Sequence, residues 1–322
     1  MGHCQKTLAE HVALRRRRDQ SARQLESVVK AFEASEVLAP LKVGIFCAGS
    51  LARREIGTKS DLDVFVTADK GQQDLRSRLS EYTLFGELIQ INKQLGLPPF
   101  SNDGEFLKIH FLEDLEALAG SRRDDSENLF TTRMLLILES APILHEEIYQ
   151  QHLRDVLEHY YRDQVGKRSF RPLFLLNDLL RYWRTLCLNY EERRQDPTKP
   201  WRKKNVNLKF SRMVTVFSAV LPLVLSPTPM VPEVLAICRE TPLERLARCL
   251  DILGDSALTA EWAAVLDVYE AFLTWKEDDN IEQDLTAKKP LVRRHAETVS
   301  IFLHAALTHD KIPAEYRRYL VL

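Results

Sequence analysis

A continuous apolar run, Val43–Ala48, leads directly into Gly49-Ser50, and ten residues further on Asp61-Leu62-Asp63 opens a second apolar run, Val64-Phe65-Val66. Two such runs, rich in β-branched and aromatic residues and bounded by turn formers, read as buried strands of a small sheet. A glycine after the first strand lets the backbone come close to an anion, and Ser50 can open a helix. The N–H groups at a helix start, the positive end of its dipole and a serine hydroxyl together suit a triphosphate. Asp61 and Asp63 stand at i and i+2, so on a strand over 61–67 both carboxylates project from one face. Paired hard oxygen ligands beside such a turn suit Mg2+, which keeps few protein ligands and completes its octahedron with water and phosphate.

This order of parts, Gly-Ser, ten residues, then Asp-x-Asp, resembles the nucleotidyltransferase superfamily that includes DNA polymerase β. The arginines at Arg53 and Arg54 and the run Ser60-Asp61-Leu62-Asp63 look most similar to its bacterial branch, which holds the PII uridylyltransferases and the glutamine synthetase adenylyltransferases. The resemblance covers roughly residues 40 to 145, under half of the chain. It implies an α+β fold, with a small mixed β-sheet nucleotidyltransferase domain followed by a mainly α-helical domain. On that reading 1–39 are N-terminal helices, 40–145 the nucleotidyltransferase domain and 146–322 the helical domain. It further implies Mg2+-dependent transfer of a nucleoside monophosphate from an NTP to a protein, RNA or small-molecule hydroxyl, with release of pyrophosphate. Gly49 and Ser50 would then hold the phosphates and Asp61 and Asp63 the metal. Arg53, Arg54 and Lys59 would offset charge on the leaving pyrophosphate.

The superfamily's third carboxylate belongs on a further strand, read here at Glu105-Phe106-Leu107-Lys108-Ile109-His110-Phe111. Glu105 is the first choice for that metal-holding and catalytic position, with Asp103 as the alternative. If the register instead brings Lys108 there, its ammonium competes with a metal rather than binding one. Two other readings stand beside the enzyme: a catalytically degenerate, nucleotide-binding regulatory module, and an RNA-directed toxin or defence nucleotidyltransferase.

The rest of the chain reads as helical. Residues 5–38 give one or two helices carrying Arg15-Arg16-Arg17-Arg18, and a helix over about 72–96 stops at Gly96 before Pro98 and Pro99. From residue 125 onward helices follow one another, one ending before Pro142, one over 145–161, and one starting at Pro172 with a polar stripe of Asn177, Arg181 and Arg184. Residues 193–212 form the best basic patch, with Trp201 able to stack on a base, and are the place for an acceptor protein or RNA to bind. A net charge of −1 provides no global pull toward polyanions, so contact with nucleic acid must come from such a local patch. The five cysteines are scattered, with no Cys-x-x-Cys pair, which suits reduced thiols in a cytoplasmic protein. The most apolar stretch, 214–225, reads as too short for a bilayer and broken by Pro222, so no membrane partner is expected.

Overall fold

The computed structural model describes the chain except for residues 70, 101–103, 105, 168, 196–200, 279 and 321–322 and the side chain of residue 73. It is α+β and mainly helical, with one small mixed sheet. The chain begins with helices α1 (His3–Glu10) and α2 (Val12–Glu33), then strand β1 (Val43–Ala48), the single turn α3 (Gly49–Ala52) and β2 (Asp63–Ala68). Next come α4 (Arg78–Gln94), β3 (Ile109–Phe111), α5 (Leu112–Ala117), α6 (Arg122–Ser126), α7 (Leu129–Leu138), β4 (Ala141–Leu144) and α8 (Glu146–Tyr160). The remainder is α9 (Leu173–Gln195), α10 (Arg202–Asn207), α11 (Met213–Leu225), α12 (Val231–Arg239), α13 (Pro242–Leu253), α14 (Ser256–Trp275), α15 (Ile281–Ala287), α16 (Lys289–Leu307) and α17 (Ala314–Arg318).

Two compact units result. One comprises Arg17–Gly166 with Val231–Arg239, and the other Met1–Arg16, Lys167–Met230 and Glu240–Leu322. This division departs from the linear boundaries read from the sequence: α8 stays with the sheet, and the chain returns to the first unit through α12.

In the sheet-bearing unit the strand order is β3-β2-β1-β4. β1 runs antiparallel to both β2 and β4, and β2 runs parallel to β3. One face packs on α2 and α4 through Val28, Phe32, Leu84, Leu88 and Ile91, all buried against Val43, Ile45, Val64 and Val66. On the other face Phe46 stacks on Phe65 at 5.3 Å and meets Tyr149 of α8 at 5.8 Å. α8 buries Tyr149, His152, Leu153, Val156, Leu157 and Tyr160, the i, i+3, i+4, i+7 stripe of a core-facing helix. Gly44 makes that approach work: a β-carbon there would stand 2.9 Å from Thr67 Oγ1 and 3.2 Å from both His152 Nδ1 and the Tyr149 Cα.

Several expectations change. β4 was read as a helix stop at Pro142, yet it is a strand on the sheet edge, where a residue without an N–H is tolerated. The β1–β4 register shifts between Ile45 and Phe46, accommodating Pro142 opposite Phe46. β3 is three residues long rather than seven. The acidic strand begins at Asp63, so Asp61 lies in the loop before it.

The second unit is all helical. Its core is aromatic, with Phe210 stacked on Phe272 at 4.8 Å and Trp262 on Phe302 at 5.8 Å. Thr241 and Glu244 form a reciprocal cap at the start of α13. Here too a reading changes. Residues 214–225 finish a continuous helical run, Arg202–Leu225, the one helix among the described residues that is long and apolar enough to cross a membrane. Its most apolar window is 72% buried inside the protein. Pro222 lies close enough to the end of the run to forfeit a backbone bond without breaking it.

Candidate active site

The site is assembled where β1 ends. Antiparallel pairing sets Ala48 opposite Asp63, so the turn that follows β1 lies against the first residue of β2. Gly49 adopts φ +71°, and a β-carbon on it would stand 2.4 Å from Asp63 Oδ2. Both the backbone conformation and the space favour glycine here, since a β-carbon would strain the turn and displace the Asp63 carboxylate. The glycine therefore forms a cradle that brings backbone and carboxylate together. Asp61 and Asp63 are each half-buried, with the side chain of Leu62 between them turned into the core.

The helix expected from Ser50 is a single turn, and that reduces the share a helix dipole can take in binding phosphate. The turn closes as a Schellman motif. The Glu55 N–H donates to the Ser50 carbonyl at 2.8 Å and the Arg54 N–H to that of Leu51 at 3.1 Å. The Ser50 carbonyl is thereby committed, while its side chain is half-buried at the turn.

The two adjacent arginines have opposite fates. Arg53 is buried: its Nε donates to Glu55 at 2.9 Å and its Nη1 to Glu139 at 2.5 Å, with all three side chains at most 4% exposed. It staples the turn to the end of α7, so its guanidinium serves the fold. Arg54 is exposed, at φ +59°. The chain then re-enters the core at Ile56, whose N–H donates to Ser21 Oγ of α2 at 3.1 Å. A bond from the Gly57 N–H to Ser60 Oγ at 3.0 Å tightens the loop before Asp61, leaving Lys59 exposed.

Glu105 and Asp103 lie outside the described residues. Lys108 stands just before β3; carrying the parallel register one residue back from Val66↔Ile109 sets it beside Phe65. Its Nζ is 3.8 Å from Glu127, and it is nearly half exposed. Phe106 approaches Phe65 at 5.7 Å. Among the described residues no group of three or more His, Cys, Asp or Glu side chains is placed to hold a metal.

Burial governs the titratable groups packed around the sheet. Burial pushes the Cys47 thiol up to about 12, and the nearby Asp63 carboxylate acts in the same direction, so Cys47 is no nucleophile. Beneath the sheet, burial and the Lys108 charge lower His110 to about 3. Burial also lowers His152, against the opposing pull of Asp69 and Asp155. Thr67 donates its hydroxyl to the Gly44 carbonyl at 3.1 Å and stands 2.9 Å from His152 Nδ1, while His152 Nε2 lies 3.4 Å from Asp69 Oδ1. Both rings are neutral packing elements. Sequence reasoning passed over them and over Glu139, which no local pattern connects to Arg53.

The basic stretch 193–212 belongs to the helical unit, and Asp196 and Lys199 within it lie outside the described residues. Trp201 packs on Tyr190 at 6.3 Å and already carries the Arg202 guanidinium at 4.8 Å over its ring. Glu282 accepts from the N–H groups of Arg202 and Lys203 at 3.2 and 2.9 Å. On α9, Asn177 and Arg184 are exposed and Arg181 lies 3.5 Å from Asp178.

Comparison with protein-family models and with curated proteins finds no match for this chain.

Proposed function

We propose that the chain is a nucleotidyltransferase, moving a nucleoside monophosphate from an NTP to an acceptor hydroxyl and releasing pyrophosphate. The observation that carries this reading is the Gly49–Asp63 juxtaposition. The register Ala48↔Asp63 and the missing β-carbon bring a phosphate-suited turn and the half-buried Asp63 carboxylate together, with Asp61 two residues earlier in the loop.

The donor set fits Mg2+, whose nucleotide sites ordinarily use one or two carboxylates and leave the remaining positions to phosphate and water. Asp61 and Asp63 would hold it, and when bound it would supply charge neutralisation to the phosphates. The protein's own part is positioning. Gly49 gives the donor phosphates room against the backbone, Ser50 contributes a hydroxyl, and the buried Arg53 clamp holds the turn rigid. Phosphoryl-type transfer depends chiefly on such positioning and on electrostatics. The acceptor is a protein, an RNA or a small molecule. A second reading, nucleotide binding without turnover, draws on Lys108, a cation where the register reaches toward the aspartates.

Calorimetric titration with each Mg-NTP, with and without EDTA, tests the binding half of this reading. Binding that requires Mg2+ and disappears in Asp61→Ala/Asp63→Ala supports it. Binding to no NTP, or equal binding by the variant, removes it. Tight binding with no pyrophosphate release for any acceptor favours the second reading.

A further inference from the structure

We propose that the solvent face of α4 docks an amphipathic helix of a partner protein, one whose apolar stripe is flanked by acidic residues. The inference is independent of the nucleotidyltransferase reading. α4 covers the sheet face that bears Ile45, Val64 and Val66, and strand alternation assigns Asp63 to the opposite face with Phe65.

α4 is apolar on two sides. Leu84, Leu88 and Ile91 enter the sheet core, and on the other side Leu79, Tyr82 and Ile89 are 76%, 64% and 51% exposed. Gly86 and Lys93 complete the row, so that positions 79, 82, 86, 89 and 93 are alternately three and four residues apart. That spacing is the seam by which one helix packs on another. Single exposed apolar side chains are ordinary, whereas a row of them on one helix face marks a contact surface. Gly86 is a second and independent sign. It stands mid-helix, where glycine costs about 1 kcal/mol relative to alanine. A β-carbon on it would meet nothing within 4 Å, so the packing of this chain has no need of the missing side chain. A partner helix laid along the seam does need it, because its own large apolar side chain fits the notch.

Charge selects the occupant. Of the two acids on α4, Glu81 falls on the inward stripe of Leu84 and Leu88, and Glu87 accepts from Ser35 Oγ at 2.6 Å. Arg78 and Lys93 are left to flank the seam, one at each end, both exposed and neither in an ion pair with a described residue. A second copy of α4 is a poor match. Antiparallel pairing about Gly86 sets position 93 of one helix opposite position 79 of the other, which crowds Arg78 and Lys93 of the two copies together. Parallel pairing sets like charge against like. A helix with acids near both ends fits instead. Arg78 and Lys93 lie about 22 Å apart along the axis at 1.5 Å per residue, so the matching acids stand about four turns apart. Ion pairs at such a rim govern partner choice and orientation, while the apolar seam supplies affinity.

The test titrates the full chain into two fluorescent helical peptides of four turns, both with leucine at the seam positions, one flanked by glutamate and its twin by lysine. Binding is read by anisotropy, and every variant is also melted. Wild type is expected to bind the glutamate peptide about tenfold more tightly than the twin. Gly86→Leu fills the notch and removes a mid-helix glycine, so it should melt at or above the wild-type temperature yet lose about tenfold in affinity. Arg78→Glu/Lys93→Glu should reverse the preference between the peptides. Equal binding of the two peptides, binding of neither, or a Gly86→Leu protein that binds as wild type does overturns the inference. Sedimentation showing a dimer that Gly86→Leu dissociates also overturns it and assigns the face to a second copy. NTP binding is unaffected by any of these outcomes.

Discussion

A β-carbon on Gly49 would stand 2.4 Å from Asp63 Oδ2. The conformation of one residue and the chemistry of the other are thus a single constraint. Gly49→Ala must both strain a φ of +71° and push the carboxylate aside. The expected cost is about 2 kcal/mol or more of stability, measured by urea denaturation, because a left-handed L-residue and an overpacked contact each cost about 1–2 kcal/mol. Mg-NTP affinity should fall with it. An alanine variant as stable as wild type would mean the turn relaxes freely.

Arg53 should behave as a fold residue. Arg53→Met leaves the carboxylates of Glu55 and Glu139 buried without the guanidinium between them. Breaking a buried pair in this way costs about 3–5 kcal/mol, whereas neutralising the acids as well removes most of that penalty. Chemical denaturation should therefore show Arg53→Met strongly destabilised and Arg53→Met/Glu55→Gln/Glu139→Gln substantially recovered.

His110 gives the fold an acid-sensitive element. Burial and Lys108 hold the folded ring neutral down to about 3, while the unfolded ring takes up its proton near 6.5. The unfolded state then binds the extra proton, so the stability from this group is complete above pH 6.5 and drains away as pH falls toward 3. The loss is at most about 1.4 kcal/mol per pH unit. Melting wild type and His110→Gln at pH 7.5 and 5.0 checks the sign. Wild type should lose more between the two than the variant, which has no proton to take up there.

Much of the sheet was legible in the residues. β1 and β2 are continuous apolar runs bounded by turn formers, and α8 and α4 show helical spacing. What escaped the reading depended on distant partners. β4 is four residues long and holds Pro142, a signal of termination until an edge position explains it. Arg53 and Arg54 look alike in a sequence, and only Glu139, brought back by α7, tells them apart. Gly44 is one more residue of an apolar run until α8 arrives over it. In the candidate site, Asp63 stands against the turn at Gly49, whereas Glu105 and Asp103 fall outside the described residues. Asp61 precedes its strand, and the helix after β1 is one turn.

The most direct measurement incubates the protein with Mg2+ and each α-labelled NTP in the presence of total cell protein and RNA, alongside Asp61→Ala/Asp63→Ala. The account predicts that wild type transfers label to a discrete acceptor with release of pyrophosphate. The variant should lose roughly a hundredfold or more of that activity, since positioning and charge carry most of such a reaction, while melting within a few degrees of wild type. Equal labelling by the two proteins would contradict it.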